Sequence, residues 1–537
     1  MSSEHLSSDN RNGQTYDYIV VGAGSAGAVV ANRLSANSSH RVLLLEAGQA
    51  SHPWSRIPVG FAKLIDNPAA NWCYESEPED ATNMRKIPVP RGRLLGGSSS
   101  INGMVFVRGQ SHDYDTWAQL GNRGWSYTDV LPLFKRMESY GGGNDEFRGR
   151  DGPLKVNDHS DSGPFYDALF EAGAEVGLPR NADYNGASQD GMSMTQATIR
   201  NGRRMSTAFC YLDPVRARAN LTIITSATTE GLLLEDKACV GVRYSVAGTS
   251  AIAHASREVI VSAGAINSPK LLELSGIGQR QVLEAQGIAV QHELDGVGEN
   301  LRDHFAPRLL WDIARPGVAY TSGLNLLWQG VKYALTRKGL LSLPASPIRA
   351  YLRSREGLES PDLGVAFFPF MSQNFKLTAQ PGFTAITHQL RPESTGSIHI
   401  NSADANVAPS IRFNFLSAEL DRQAVVAAVK ETRRLVNATA LDGIRGTELS
   451  PGPEVQTDDE ILAWARASAE TVYHPVGTCK MGSDPRAVVD QRLRVHGLRG
   501  LRVADASIMP TLTSGNTNAP SIMIGEKAAQ MIIEDQN

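Results

Sequence analysis

Glycines near the start of the chain have the spacing GxGxxG, with Gly22, Gly24 and Gly27 at the fixed positions. A β-branched apolar run, residues 17–21, precedes them, and small and apolar residues at helical spacing, 28–34, follow. In such a strand–turn–helix unit the first glycine permits the tight turn, the second lets the backbone approach a pyrophosphate, and the third lets helix and strand pack closely. The helix N-terminus then faces the phosphate charge, so the pattern predicts a dinucleotide site.

A carboxylate belongs to the same unit. Residues 41–45 predict a second buried strand, which is followed by Glu46, 19 residues beyond Gly27 (46 − 27). A carboxylate there accepts hydrogen bonds from the hydroxyls of an adenosine ribose and repels a 2′-phosphate. The sequence therefore favours NAD or FAD over NADP, and this unit alone does not separate the two.

The rest of the chain must position these groups. Its 537 residues are 41% hydrophobic and 20% charged, which indicates a large core rather than disorder. Length alone predicts three to four domains, or two large lobes.

The charge balance is close to neutral. Lys and Arg number 52 against 56 Asp and Glu, which gives a net charge of −4. That balance supplies no field for a polyanion, so nucleic-acid binding is not expected.

The cysteines indicate a reducing compartment. Cys73, Cys210, Cys239 and Cys479 are scattered without a CxxC pair, which argues against a disulfide framework and against a structural zinc site. We therefore expect a cytoplasmic protein without a metal, and peripheral membrane association stays open as an alternative. Residues 1–14 are polar and predict a loose tail, neither a secretory signal nor a membrane anchor, and no transmembrane segment is expected.

Further segments combine glycine-rich turns with apolar stretches. They are residues 92–108, residues 264–278 and residues 500–507. In the first, Asn102 is followed by apolar residues, a pattern typical of backbone packed on something flat rather than of a solvated linker.

At these segments the sequence resembles the glucose-methanol-choline (GMC) flavoprotein oxidoreductases. Both long signatures of the family, residues 92–108 and 264–278, fit at nearly every constrained position. The likeness is greatest to the choline and alcohol dehydrogenase branch, through residues 101–109, 296–304 and 516–520. The resemblance implies FAD as cofactor and an α/β fold, α+β overall, in which a discontinuous Rossmann-like FAD-binding domain carries an inserted substrate domain with an antiparallel or mixed sheet.

The motifs lie near both ends of the chain, which indicates two interleaved lobes rather than several domains in series. We expect the FAD-binding domain to comprise residues 15–150, 212–306 and 467–537. The substrate-binding domain is expected to comprise residues 151–211 and 307–466.

The resemblance also implies roles around FAD for individual residues. The glycine turn would meet the pyrophosphate, Glu46 the ribose, Thr229 the adenine, and the 92–108 loop and the C-terminal segments the flavin end. The residues so implied are Gly22, Gly24, Ser25, Ala26, Glu46, Gly97, Ser98, Asn102, Gly103, Met104, Val105, Thr229, Asp505, Ala506, Asn516 and Thr517. Some family oxidases bind flavin covalently through a histidine just before the loop asparagine. Ile101 occupies that position here and cannot form the bond, so we expect non-covalent FAD.

His474 and Asn516 are the catalytic pair that the resemblance implies. Oxidising an alcohol removes a hydroxyl proton and a hydride from one carbon, so the site needs a base near the flavin. Histidine suits this task because its unperturbed pKa is about 6.5. Residues 472–482 resemble the base-bearing loop of the family, and Pro475 biases His474 to an extended backbone. We expect His474 to take the hydroxyl proton and Asn516 to hold the substrate oxygen while the hydride passes to flavin N5.

Between residues 307 and 466 the pattern changes to strands, such as 363–370, 384–390 and 397–400, which predict a mixed sheet. In the family this sheet roofs the flavin. Two amphipathic helices, 327–335 and 420–436, are expected to pack on this sheet. A membrane-surface role for them is disfavoured because neither combines a basic face with an aromatic stripe.

Aromatic strand residues more often belong to a core than to a pocket. The candidates for lining an apolar pocket are Phe367, Phe368 and Phe370.

Choline is an unlikely substrate on this pattern. Choline-oxidising relatives carry an acidic residue near the strand that here covers residues 344–351. That stretch has no carboxylate, Pro347 stands at the corresponding position, and Arg349 adds a positive charge. A quaternary ammonium would find nothing to neutralise it. We expect an uncharged primary alcohol, aromatic or medium-chain aliphatic.

Alternatives stay open at this point. The fold and flavin could serve a lyase, as in the hydroxynitrile lyases of the same family, or the chain could be a choline dehydrogenase. A nicotinamide dehydrogenase that merely shares GxGxxG is a third alternative. Oxygen, a quinone or another carrier could accept the electrons, and a homodimer is compatible with the sequence.

Overall fold

The structure of the chain, a computed structural model, describes residues 12–159, 162–314, 323–373, 376–378 and 380–536. Two large sheets organise them. Their strands, in chain order, are β1 (Gln14–Val21), β2 (Val42–Glu46), β3 (Gly191–Met194), β4 (Leu221–Thr225), β5 (Ala227–Glu235), β6 (Ala238–Val246), β7 (Thr249–Val261), β8 (Arg308–Ile313), β9 (Ile348–Leu352), β10 (Leu363–Phe368), β11 (Gly382–Gln389), β12 (Arg445–Ser450) and β13 (Leu501–Val503).

Helices and short strands complete the fold. The helices are α1 (Gly27–Leu34), α2 (Phe61–Leu64), α3 (Ser111–Gln119), α4 (Tyr127–Met137), α5 (Pro164–Glu175), α6 (Gly264–Leu274), α7 (Arg280–Ala285), α8 (Gly323–Thr336), α9 (Glu419–Val436), α10 (Asp458–Ser468) and α11 (Asn518–Glu534). The short strands are Tyr74–Glu75, Pro88–Val89, Glu138–Tyr140, Leu154–Asp158, Gln196–Ala197, Ile199–Arg200, Arg203–Arg204, Ile277–Gly278, His292–Glu293, Phe305–Ala306, Ser372–Gln373, Lys376–Leu377, Ser397–His399, Ser410–Arg412 and Glu470–Thr471.

The first sheet has the order β4–β2–β1–β7–β6–β5, with β13 also paired to β7. β4, β2, β1, β7 and β13 run parallel, and β6 and β5 extend the sheet antiparallel. Every residue of β2 is buried, as a strand covered on both faces requires. β1 and β2 end at the GxGxxG turn and at Glu46. Ligands bind outside the carboxyl ends of the strands in sheets of this kind, so this edge positions the predicted dinucleotide site.

The second sheet has the order β12–β8–β11–β10–β9–β3 and is antiparallel at every pairing. β3 reaches it from a segment far upstream of the other strands. One face packs on α9, where Val429 and Leu435 join Phe367 and Phe383 in a buried cluster. The opposite face looks towards the first sheet. The α/β fold with a second, inserted sheet is confirmed, and the strands predicted at 363–370, 384–390 and 397–400 are present with ends shifted by up to two residues.

Two details of the sequence prediction are wrong. Residues 1–11 lie outside the described part of the chain, but the end of the predicted tail belongs to the first sheet, because Gln14 begins β1 and pairs with Ala253.

The second wrong detail concerns α8, whose apolar side was expected to pack on the sheet. Leu327 and Leu335 are 69% and 80% exposed; the helix is instead held by buried Tyr333, whose hydroxyl donates to the carbonyl of Gly202 at 2.7 Å.

The described residues contain no helix that is long and apolar enough to cross a bilayer.

Candidate active site

A cavity of about 650 Å³ lies between the two sheets. Apart from Glu46 at the end of β2 and Thr229 on β5, the predicted site residues come from the turns and loops at its rim, and all of them line it. They are Gly22, Gly24, Ser25, Ala26, Glu46, Gly97, Ser98, Asn102, Gly103, Met104, Val105, Thr229, His474, Asp505, Ala506, Asn516 and Thr517.

The glycine turn has the geometry that a pyrophosphate site needs. Gly22 has a φ of +96°, and a Cβ there would lie 2.5 Å from the carbonyl oxygen of Ser262. A Cβ at Gly27 would lie 1.9 Å from the carbonyl oxygen of Gly22, so helix and strand meet as closely as the motif predicts. A Cβ at Gly24 would meet nothing within 4 Å. The backbone at Gly24 therefore borders open space in the cavity, where a phosphate can approach it.

Glu46 both lines the cavity and braces the turn. Its Oε2 accepts from the backbone N–H of Ala23 at 3.0 Å and its Oε1 from that of Gly48 at 2.9 Å. Burial raises the pKa of Glu46 to about 7, although these amides and the charge of Arg93 lower it. Lone pairs that the two amides leave free are the acceptors that ribose hydroxyls would use.

Thr229 has an unsatisfied polar atom. It lies on β5 and lines the cavity, and its buried Oγ1 has no hydrogen-bond partner in the described part of the chain. Buried polar atoms are rarely left unpaired. A ligand with nitrogen donors and acceptors, such as an adenine, fits this position.

The glycine–serine loop packs directly on the dinucleotide turn. Gly97 has a φ of +51°, and a Cβ there would lie 2.8 Å from the Cα of Gly24. Further along, Met104 holds a φ of +63°, and its N–H donates to Asn102 Oδ1 at 3.0 Å. Arg204, which sequence reasoning missed, donates to the same oxygen at 2.7 Å. The loop is therefore held in a strained shape against the cavity.

The C-terminal residues meet the same cavity, but the Asp505 carboxylate is engaged within the protein. It accepts from the N–H of Gly264 at 2.8 Å, the hydroxyl of Ser268 at 2.6 Å and the N–H of Ser507 at 2.8 Å. Asp505 thus clamps the turn before α6 to the turn after β13. Thr517 stands at the N-terminal end of α11, whose dipole directs partial positive charge into the cavity.

His474 and Asn516, 42 residues apart in the chain, meet in the cavity. Asn516 Nδ2 lies 2.9 Å from His474 Nε2, and Asn516 Oδ1 is buried without a partner in the described residues. His474 Nδ1 lies 2.9 Å from Nδ1 of a second histidine, His304. His304 Nε2 lies 2.9 Å from the carbonyl oxygen of Leu390.

This chain of contacts assigns the protons. A carbonyl oxygen only accepts, so His304 Nε2 carries a proton and donates to Leu390. In the neutral ring His304 Nδ1 is then an acceptor, and His474 Nδ1–H donates to it. His474 Nε2 is left with a lone pair that accepts from the amide of Asn516 and faces the cavity. The fold thus presents His474 as a base in the tautomer that proton abstraction needs.

Asp303, next to His304 in the chain, accepts a hydrogen bond from the backbone of each of the two histidines. Its Oδ1 accepts from the N–H of His304 at 2.7 Å and from that of His474 at 2.9 Å, and the hydroxyl of Thr471 donates to Oδ2. Burial raises the pKa of Asp303 to about 6 against these hydrogen bonds and the charge of Arg91. The 296–304 motif pointed to the family without suggesting this role.

Burial keeps the histidines neutral. It lowers the pKa of His304 to about 4, opposed by the Leu390 carbonyl and assisted by the charge of Arg349. Burial, followed by His304 and His388, lowers the pKa of His474 well below its ordinary value. A neutral His474 is ready to accept a proton at neutral pH.

The second sheet forms the opposite wall. Phe368 and Phe370 line the cavity, with ring centroids 5.8 Å apart. Phe367, the third candidate, does not line the cavity, because it packs in the core under α9. Pro347 is absent from the lining, but Arg349 faces the cavity. The lining carboxylates, Glu46 and Asp505, both belong to the first sheet's side.

Comparison with known proteins identifies the family. Residues 16–306 and 392–525 match the GMC oxidoreductase family. Oxygen-dependent choline dehydrogenases from Rhizobium etli and Photobacterium profundum are 43% and 41% identical to the chain, covering 97% of it and 96% and 93% of their own lengths. The solved structure of pyridoxine 4-oxidase from Mesorbium loti has a TM-score of 0.88 and 32% identity, covering 96% of this chain and 98% of that one.

Ile101 lines the cavity where a covalent flavin link would need a histidine, and the glycine turn, Glu46 and Thr229 fit a dinucleotide. The fold, the cavity and the matches over both parts of the chain agree: this protein belongs to the GMC oxidoreductase family and is an oxidoreductase that uses non-covalent FAD.

Proposed function

We propose that the protein oxidises a primary alcohol to the aldehyde. The observation that carries the proposal is the Nε2 lone pair of His474, aimed into the cavity 2.9 Å from the amide of Asn516. In the resting site these two groups satisfy each other. A substrate hydroxyl placed between them donates to His474 Nε2 and accepts from Asn516 Nδ2.

His474 then takes the hydroxyl proton on Nε2, and its Nδ1–H stays hydrogen-bonded to neutral His304, which spreads the positive charge. Asn516 holds the oxygen as its charge grows. Bound FAD supplies the two-electron acceptor for the hydride that leaves the carbinol carbon. One proton and one hydride leave the alcohol, which becomes the aldehyde.

The cofactor contacts form part of this proposal. Gly22, Gly24, Ser25 and Ala26 hold the pyrophosphate, Glu46 the ribose and Thr229 the adenine. The loop from Gly97 to Val105 and the residues 505–506 and 516–517 hold the flavin end. The domain division at residues 15–150, 212–306 and 467–537 against 151–211 and 307–466 follows the same assignment.

The substrate skeleton is aromatic or medium-chain aliphatic. Phe368, Phe370 and Ile386 supply apolar wall to the cavity, and a relative is named for the oxidation of pyridoxine. Choline is the second candidate, because the relatives of 41–43% identity are named choline dehydrogenases. The substrate wall, however, presents Arg308 and Arg349 and no carboxylate among its lining residues. Family membership removes the nicotinamide alternative.

Anaerobic mixing with alcohols tests the proposal. Benzyl alcohol or hexan-1-ol should bleach the flavin absorbance and yield one aldehyde per FAD, faster than choline at equal concentration. Bleaching by choline alone would assign the second candidate. No bleaching by any alcohol, together with cleavage of a cyanohydrin, would assign a lyase instead.

The compartment, the electron acceptor and the oligomeric state belong to the same proposal. The cysteines, Cys73, Cys210, Cys239 and Cys479, are all free, which supports the reducing cytoplasm. Oxygen or a quinone-like carrier is the proposed acceptor, and parallel assays with oxygen and an artificial acceptor distinguish them. A homodimer is proposed, to be measured by sedimentation.

A further inference from the structure

Arg349 is a buried cation at the cavity wall that the proposed reaction does not use. It is the second residue of β9, is 3% exposed and faces the cavity. Its Nε donates to the hydroxyl of Tyr351 at 3.2 Å. Throughout the described residues, no carboxylate forms an ion pair with it.

The other buried arginines differ from Arg349 in their partners. Arg108, Arg148 and Arg502 each lie within 2.8 Å of a glutamate oxygen. Arg204 also lacks a carboxylate, but it donates to the Asn102 side chain and to a backbone carbonyl and does not line the cavity. A buried charge without a counter-charge is costly. Of these arginines, only Arg349 both lacks a carboxylate partner and lines the cavity, where a ligand can supply the counter-charge.

The strand register places Arg349 within the substrate wall. Arg308, Ile386, Ala366 and Arg349 are successive cross-strand partners on β8, β11, β10 and β9, and all of them line the cavity. Arg308 is already paired with Glu470 at 3.0 Å. Arg349 is therefore the cation of this row that remains available to a ligand.

A second polar group lies beside it. His388 is 3% exposed and lines the cavity, and neither of its ring nitrogens has a hydrogen-bond partner in the described residues. Its ring covers Gly364, where a Cβ would lie 3.1 Å from His388 Nε2, and Gly364 pairs with Tyr351 on β9. Burial, followed by the nearby ring of His304 and the charge of Arg349, lowers the pKa of His388, so the ring is neutral and offers one N–H donor.

We propose that Arg349, assisted by the N–H of His388, binds a carboxylate on the substrate, so that the enzyme oxidises an alcohol that carries a carboxylate at its far end. This inference rests on the proposed function and names its substrate class, replacing the uncharged alcohol that the sequence predicted. A planar guanidinium pairs with a carboxylate through two parallel hydrogen bonds. One arginine and one neutral donor balance a single negative charge, as a carboxylate carries.

Matched substrates test the proposal. In the holoenzyme, 4-(hydroxymethyl)benzoate should have a kcat/KM at least about tenfold above that of its methyl ester. Arg349→Gln should lower kcat/KM for the acid about 100-fold, mainly through KM, and change the ester by less than about threefold. Arg349→Lys should retain part of the preference. Arg353→Gln, which removes a surface partner of Asp190 outside the cavity, should leave both substrates unchanged.

Equilibrium binding gives a readout that does not depend on turnover. Titration of 4-methylbenzoate and 4-methylbenzamide, followed by flavin absorbance, should show tighter binding of the carboxylate in the wild type and no preference in Arg349→Gln. Equal affinities in the wild type, equal losses for acid and ester in the variant, or loss of FAD from the variant would each overturn the proposal. If no alcohol reduces the flavin, the proposed function fails, and the binding titration still decides the role of Arg349.

Discussion

Nδ1 of His304 and Nδ1 of His474 lie 2.9 Å apart, and only one of the two nitrogens can carry the proton between them. The Leu390 carbonyl decides which, because it requires the proton of His304 on Nε2. A backbone oxygen one residue beyond the end of β11 thus sets the tautomer of the base in the cavity. The relationship makes His304 a positioning residue rather than a second base.

His304→Ala should slow flavin reduction about 10- to 100-fold, because His474 Nδ1–H loses its acceptor and the ring can turn or change tautomer. His304→Gln, which keeps an acceptor oxygen, should recover part of the rate. Anaerobic stopped-flow spectroscopy measures both variants, and the exposed His112→Ala serves as control. Equal rates for the alanine variant and the wild type would contradict the positioning role.

The pH dependence of kcat/KM follows from the lowered pKa of His474. Activity requires the neutral ring, and burial keeps that ring neutral down past its ordinary pKa of 6.5. Asp303, with a pKa of about 6, also stays charged above that pH. A profile for an uncharged alcohol should be flat from pH 8 to 6.5 and fall only below. An acid limb centred above pH 7 would show that the site charges more easily than its burial implies.

Gly24→Ala should release FAD without unfolding the protein. The new Cβ meets nothing within the protein, so it projects into the space beside the phosphate-binding turn. We expect a dissociation constant for FAD at least about tenfold higher, from the loss of roughly 1.4 kcal/mol or more. Gly443→Ala places a Cβ in open space on the surface and is the matched control. Unchanged FAD affinity in Gly24→Ala would remove the pyrophosphate from this turn.

His399 should make stability depend on pH. It lies 2.7 Å from Glu273 and 3.2 Å from Glu299. Burial alone would lower the pKa of His399, but these carboxylates outweigh it and raise the pKa to about 9. The stabilisation is complete below pH 6.5 and disappears as pH rises through 9.

His399→Gln should therefore lower the free energy of unfolding by about 1–3 kcal/mol at pH 6, and the difference should shrink by pH 10. Denaturant unfolding at both pH values measures it, with His112→Gln as control. A deficit that is the same at both pH values would show that packing, not charge, is lost.

Local patterns predicted the residues with local causes. The GxGxxG turn follows from the steric needs of three glycines, and His474 and Asn516 stood in segments characteristic of the family. Alternation along β10 required Phe367 and Phe368 to face opposite ways, but which of them faces the core depends on α9, far along the chain. The same holds for His304 and Asp303, whose roles arise from contacts across about 170 residues. The resemblance to the family led us to expect Asp505 near the cofactor, and it lines the cavity. Its use as a clamp for a distant turn leaves no trace in its own segment, so the sequence did not predict that role.

In the proposed reaction His474 removes the hydroxyl proton, and stopped-flow reduction of the flavin in His474→Ala tests this role most directly. With FAD bound in stoichiometric amount, we expect the limiting rate constant of reduction by an alcohol substrate to fall about 100- to 10,000-fold. A variant that holds FAD and is reduced by the alcohol at nearly the wild-type rate would show that His474 is not the base.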